Sequence, residues 1–86
     1  MLEVAVKMNN QEFKSIMILL IPLLIKEIVT AEKIEELDAV SNLYQSALYE
    51  KLKDEETKLW HLSPKALYEL YKQEKSEGRI DWPTEM

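Results

Sequence analysis

The sequence of 86 residues contains no cysteine and only one glycine, three prolines, one histidine and one arginine. The absence of cysteine excludes disulfide bonds, thiolate catalysis and cysteine-ligated zinc. Scarce glycine and proline argue against an all-β fold, because such a fold needs turn residues about every 8–12 positions. Small secreted domains commonly depend on disulfide bonds, and the N-terminus lacks the pattern of a cleavable signal peptide. These absences together favour a helical, cytoplasmic protein.

Basic charge is also scarce, because sixteen acidic residues outweigh eleven basic ones and the net charge is −5. Nucleic-acid binding requires cations that neutralise phosphates, and base recognition relies on arginine. The single arginine, Arg79, gives little reason to expect a nucleic-acid partner. One alternative is a DNA-binding regulator that uses a lysine-rich face of the last helix, formed by Lys65, Lys72 and Lys75.

The sequence shows no residue pattern of an active site, a cofactor site or a metal site. His61 is the only imidazole, so a nucleophilic serine has no other candidate base and zinc has no second histidine ligand. Two acidic clusters, residues 32–36 and 54–56, lack the glycine or asparagine that a calcium-binding turn needs. One glycine cannot make a glycine-rich phosphate loop. We therefore expect no enzymatic activity, no cofactor and no bound metal.

Apolar residues are abundant, at 47% of the chain, and 31% of the residues are charged, which is typical of a folded soluble domain. The length allows one domain, which we place over residues 1–86. The predicted fold is all-α: a small four-helix bundle with a kinked, fully apolar first helix and an extended C-terminal tail over residues 77–86. Residues 1–8 alternate between apolar and other side chains, which predicts either a loose arm or a strand.

Capping residues predict where each helix begins, because Asn, Ser and Thr side chains accept hydrogen bonds from the N–H groups of the first turn. Pro64 directly after Ser63 gives the clearest start, because proline lacks the N–H that a first helical position leaves unpaired. Gly78 ends the fourth helix, after about Ser76. The predicted caps are Asn9, Thr30 and Ser63, and a break near Ser41 or Ser46 precedes the third helix. The helices are expected over residues 10–29, from 30 onward, 47–53 and 64–76.

The second helix is expected to bury one face. Mostly apolar residues recur at helical spacing along one side of it, opposite an acidic side: Ile34, Leu37, Val40 or Ser41, and Tyr44. We therefore expect Leu37 and Tyr44 to point toward the core.

The longest apolar run, residues 16–25, lies in the first helix and contains Pro22. A membrane-spanning helix needs about 20 apolar residues, so we expect no membrane span. Pro22 removes a hydrogen bond to the Ile18 carbonyl and is expected to kink the helix. Leaving three or four of these side chains in water forfeits about 5–10 kcal/mol, as much as the net stability of a typical domain. We therefore predict a homodimer in which a second copy covers part of this helix.

Three short motifs follow one another in the middle of the chain: Ser-x-x-Tyr-x-x-Leu at residues 46–52, Asp-x-x-Thr-x-Leu-Trp at 54–60 and Ser-Pro at 63–64. In this succession the chain resembles small, uncharacterised bacterial helical proteins that are classed only as a domain of unknown function. The resemblance covers about residues 30–73 and implies a helical fold with Ser46 as a cap. Because some of these proteins lie beside toxin-like genes, it also implies an antitoxin-like or accessory role, but no active site. Lys58 departs from the pattern, which has glycine after the threonine.

The function favoured by the sequence is therefore non-enzymatic: a protein–protein interaction or regulatory protein acting through a helical or aromatic surface. Tyrosine and tryptophan are the residues that most often anchor such surfaces. The alternative is a small-molecule or lipid-binding helical bundle, with a cavity between the first helix and the aromatic residues. The residues expected to form the interaction surface are Ile16, Leu20, Leu23, Leu24, Tyr49, Trp60, Tyr68 and Trp82.

Overall fold

The computed structural model describes residues 10–82, which form four α-helices and no strand. The all-α prediction is confirmed. The predicted arm at residues 1–8, the Asn9 cap and residues 83–86 lie outside the described residues. The helices are α1 (Asn10–Glu32), α2 (Glu36–Tyr44), α3 (Ala47–Leu52) and α4 (Pro64–Glu77), with single 3₁₀ turns at Glu55–Thr57 and Leu59–His61 between the last two.

The first helix is longer than the sequence predicted. It continues through Thr30 to Glu32, so the prediction that Thr30 begins a second helix is wrong. Ala31 and Glu32 are good helix formers, and nothing local stops the helix before them. Lys33 ends it in a left-handed conformation, with φ of 56°. The helix assignment is unbroken at Pro22, and the kink expected there stays a prediction.

The late start of α2 at Glu36 changes which of its residues face the core. Ala39 and Leu43, four residues apart and therefore on one face, are inaccessible to solvent. Leu37 is 82% exposed and Tyr44 is 49% exposed, so the prediction that both point inward is wrong. The predicted face began at Ile34, which lies in the loop before α2 and does not share its helical register.

The starts predicted for α3 and α4 are confirmed in atomic detail. The Ser46 hydroxyl accepts a hydrogen bond from the Tyr49 N–H at 3.0 Å, and the Ser63 hydroxyl accepts one from the Ala66 N–H at 3.0 Å. Gly78 follows α4 with φ of 75°, a conformation that glycine adopts without steric penalty. Local capping chemistry therefore fixes both short helices.

A carboxylate from α4 completes the start of α3. Oε2 of Glu74 accepts a hydrogen bond from the Ala47 N–H at 2.8 Å, and Oε1 accepts one from the Leu48 N–H at 3.1 Å. Together with Ser46, it satisfies three N–H groups that the helix itself leaves unpaired. Glu74 thus joins the two helices, and its negative charge lies at the positive end of the α3 dipole.

The hydrophobic core lies where α1 packs against α2 and α4, while α3 packs against α2 and α4. Leucine and isoleucine from α1 form one wall, and residues from the later helices form the other. The buried core residues are Leu20, Ile21, Leu24, Ile25, Ile28, Ala39, Leu43, Leu48, Leu52, Leu59, Leu67, Tyr68 and Tyr71.

The first part of the predicted tail packs on the bundle. The Gln73 side chain donates a hydrogen bond to the Asp81 carboxylate at 2.9 Å and accepts one from the Asp81 N–H at 2.7 Å. Ile80 and Trp82 are half-buried against the core. The chain therefore stays on the bundle as far as Trp82.

Candidate interaction surface

The two sides of α1 have opposite environments. Leu20, Leu24 and Ile28 lie on the inner side and are buried. On the outer side Ile18 is 70% exposed, Leu19 is 71% exposed and Leu23 is 52% exposed. Pro22 lies between them and is also exposed. We call Ile18, Leu19, Pro22 and Leu23 the α1 face.

Within the described residues, the chain itself covers only one side of α1, and the cover of the other side by a second copy stays a prediction. At 3.6 residues per turn, positions 18, 19, 22 and 23 share one side of a helix, opposite positions 20, 24 and 28. The other helices pack on that second side only, so the α1 face is left to solvent.

Three of the eight residues expected on the interaction surface belong to the core instead. Leu20 and Leu24 lie on the inner side of α1, where α2 and α4 pack. Tyr68 is buried on α4, and its hydroxyl donates a hydrogen bond to the Glu32 carboxylate at 3.3 Å. These three side chains are enclosed by their own chain and are removed from the candidate surface.

The other five lie in different places. Leu23 is exposed on the α1 face, whereas Ile16, Tyr49, Trp60 and Trp82 are half-buried. The Trp60 indole N–H donates to the Glu55 carbonyl at 2.8 Å. Trp82, the last of the described residues, packs against the core. Sequence reasoning missed Ile18, Leu19 and Pro22, although their helical spacing opposite the buried positions is a signal that could have identified them.

An open groove lies beside the α1 face, between the first half of α1 and α3. Its volume is about 470 Å³. Tyr49 forms part of its wall and stacks on Tyr44, with ring centroids 4.6 Å apart. The groove residues are Phe13, Lys14, Met17, Ile18, Tyr49 and Lys53. An apolar floor with two lysines is the arrangement that suits an apolar molecule carrying an anionic group.

Two buried tyrosines of α4 have raised pKa values. Burial raises the pKa of Tyr71 to about 12, and the nearby carboxylates of Glu32 and Glu74 act in the same direction. Burial also raises the pKa of Tyr68, again with a contribution from Glu32. The Tyr71 hydroxyl has no hydrogen-bond partner within residues 10–82. Both phenols therefore stay neutral at physiological pH and are poor general bases.

The remaining candidate groups are dispersed over the surface. His61 is exposed and contacts the Trp60 ring edge-on. Within residues 10–82, no group of three or more histidine, aspartate or glutamate side chains could hold a metal ion. No helix in the same range is long and apolar enough to cross a membrane.

The lysine face considered for DNA binding has mixed charge. Lys65, Lys72 and Lys75 are exposed on α4, but Glu69 lies between the first two and is exposed as well. Lys75 lies over the Tyr71 ring, 5.6 Å from its centroid. A mixed row of charges attracts phosphates weakly, so the expectation of no nucleic-acid partner stands as a prediction.

Comparison with models of protein families, with curated proteins and with solved structures finds no match to this chain. The resemblance to uncharacterised bacterial helical proteins over residues 30–73 therefore stays a prediction.

Proposed function

We propose that this chain is a non-enzymatic protein-interaction domain and that the α1 face is its contact surface. The observation that carries the proposal is the exposure of three adjacent aliphatic side chains, Ile18, Leu19 and Leu23, on one side of the longest helix. Burying each of them against a partner removes apolar area from water, worth about 1–2 kcal/mol per side chain at this exposure.

Two features of the α1 face support a protein partner. Its aliphatic side chains are contiguous, and contiguous exposed patches on soluble domains commonly mark contact sites. It lies on an α-helix of 23 residues that is packed against the bundle along its other side. A rigid, preformed surface loses little conformational entropy on binding.

The proposal includes three predictions made from the sequence. The domain acts as a regulatory protein, with an antitoxin-like role as its most specific form, and it works in the cytoplasm as a homodimer.

A small-molecule or lipid-binding function is the second candidate, and the groove between α1 and α3 is the observation that favours it. Phe13, Met17 and Tyr49 offer apolar contacts, while Lys14 and Lys53 suit a carboxylate. Addition of laurate should then shift the NMR signals of the Phe13 and Tyr49 rings. Unchanged ring signals at millimolar laurate would remove this candidate.

The test of the interaction proposal uses a photo-crosslinking amino acid, p-benzoylphenylalanine, at Leu19. The matched control carries it at Lys72, an exposed position on α4. After irradiation of the purified protein, alone and in extract of its native cells, we expect discrete adducts from position 19 and none from position 72. These adducts should disappear when Leu23→Gln is added, because it removes an aliphatic side chain from the same face.

Three outcomes contradict the proposal. The first is the absence of adducts from position 19. The second is an identical set of adducts from positions 19 and 72, and the third is a set of adducts that does not depend on Leu23. The last two indicate contact without a specific surface.

A further inference from the structure

We infer that the occupant of the α1 face is the α1 face of a second copy, bound antiparallel about a two-fold axis that passes beside Leu19. This inference rests on the proposed function, since it names the partner of the same surface. It goes beyond the expectation of a homodimer because it specifies the orientation and the register of the contact.

Charge placement along α1 carries the orientation. Glu12, Leu19 and Lys26 are spaced seven residues apart, so they lie on one side of the helix, two turns or about 10.5 Å from one another. Glu12 and Lys26 are both exposed. An antiparallel copy centred on Leu19 brings each Lys26 opposite the Glu12 of the other copy. A pair of opposite charges, Lys26 of one copy and Glu12 of the other, therefore lies at each end of the contact.

A parallel contact has the reverse electrostatics. It places the two Glu12 carboxylates side by side and the two Lys26 ammonium groups side by side, and like charges at such positions are destabilising. Orientation is therefore selected by charge, as in paired helices whose flanking residues set partner direction.

Side-chain size supports the same register. Ser15 lies four residues before Leu19, and Leu23 lies four residues after it. In the antiparallel register centred on Leu19, Leu23 of one copy therefore lies over Ser15 of the other. Ser15 is small and exposed, which leaves space for the larger side chain. Leu19 meets its own symmetry mate at the axis, as an isologous contact requires.

The size of the α1 face determines the expected affinity of the dimer. Its apolar area is on the order of a few hundred Å² per copy, less than the roughly 800 Å² per partner of a standard stable interface. We therefore expect a reversible dimer with a dissociation constant on the order of 10 μM.

The experiment is sedimentation equilibrium of the purified full chain from 1 to 500 μM. The wild-type mass should rise with concentration from 10.1 kDa toward twice that value. Glu12→Lys and Lys26→Glu should each weaken the dimer about 5- to 30-fold, since each replaces two attractive pairs with repulsive ones. The double variant Glu12→Lys/Lys26→Glu should return to within about 3-fold of wild type, because the opposite charges face one another again. Lys72→Glu, an equal charge change on α4, is the matched control and should leave the dissociation constant unchanged.

Circular dichroism of each variant confirms that the fold is retained before its mass is interpreted. A wild-type chain that stays monomeric at 500 μM overturns the inference, and so does a double variant that is weaker than both single variants. If the monomeric chain still gives Leu23-dependent adducts with another protein, the proposed function survives and the partner is heterologous. If it gives no adducts but sediments with phosphatidylglycerol vesicles, a membrane surface occupies the α1 face and both proposals fail.

Discussion

Replacing Leu24 with alanine is expected to lower the free energy of unfolding by about 3 kcal/mol, whereas the same change at the adjacent Leu23 lowers it by less than about 1 kcal/mol. Both residues are leucines in the middle of α1, and both lie outside the first and last turns. Leu24 is inaccessible to solvent, while Leu23 is 52% exposed. The two substitutions alter helix propensity equally, so their difference isolates burial.

The large effect at Leu24 has two causes. Alanine loses the transfer free energy of the removed methyl and methylene groups, and it leaves a cavity that the surrounding core fills only in part. Leu23 loses only the smaller contribution of a partly exposed side chain. Urea unfolding followed by circular dichroism at 2 μM, a concentration below the expected dissociation constant at which most chains are monomeric, measures both. Equal losses of unfolding free energy at the two positions would show that Leu23 and Leu24 are equally buried, and therefore that α1 is rotated about its axis relative to the orientation described above.

The second large effect is expected from Glu74→Ala, with a loss of about 2–4 kcal/mol. Its carboxylate accepts the Ala47 and Leu48 N–H groups, and hydrogen bonds to a charged group each contribute a net of about 1.5–3 kcal/mol. The total is smaller than the sum of two such bonds because the Ala47 bond is exposed to water. A helix of six residues has few other interactions to hold it. Glu69→Ala, an exposed glutamate on the same helix, is the matched control and should change stability by less than about 0.5 kcal/mol.

The Glu74 variant also has a local signature. Without the carboxylate, the amide protons of Ala47 and Leu48 should exchange with solvent markedly faster than those in the middle of α4. If Glu74→Ala behaves like Glu69→Ala in both measurements, the carboxylate does not hold the start of α3.

Local chemistry explains why two helix starts could be predicted from sequence. Ser46 and Ser63 cap helices through N–H groups only three residues away, and Pro64 reinforces the second start. However, a residue can cap the start of a helix only where the chain before it is not helical. Thr30 has the right side chain, but the residues before and after it are helical and α1 continues through it.

Long-range contacts explain what the sequence could not show. Leu23 and Leu24 are identical residues, and which one is buried depends on where α2 and α4 pack. The bond from Leu48 to Glu74 joins residues 26 positions apart, with no pattern to connect them. The α1 face was missed for the same reason: the apolar run was recognised, but the side on which the bundle packs was not.

The claim that α1 is core on one side and contact surface on the other is tested most directly by thiol reactivity. Because the chain has no cysteine, Leu23→Cys and Leu24→Cys each introduce a single thiol. At 2 μM, position 23 should react with Ellman's reagent nearly as fast as an unfolded peptide, and position 24 at least about 100-fold more slowly, because its exposure needs local opening. At 500 μM, position 23 should become protected while position 24 does not change. Two results would contradict the claim that α1 is core on one side and contact surface on the other. One is equal reactivity at positions 23 and 24, and the other is the same reactivity of position 23 at both concentrations.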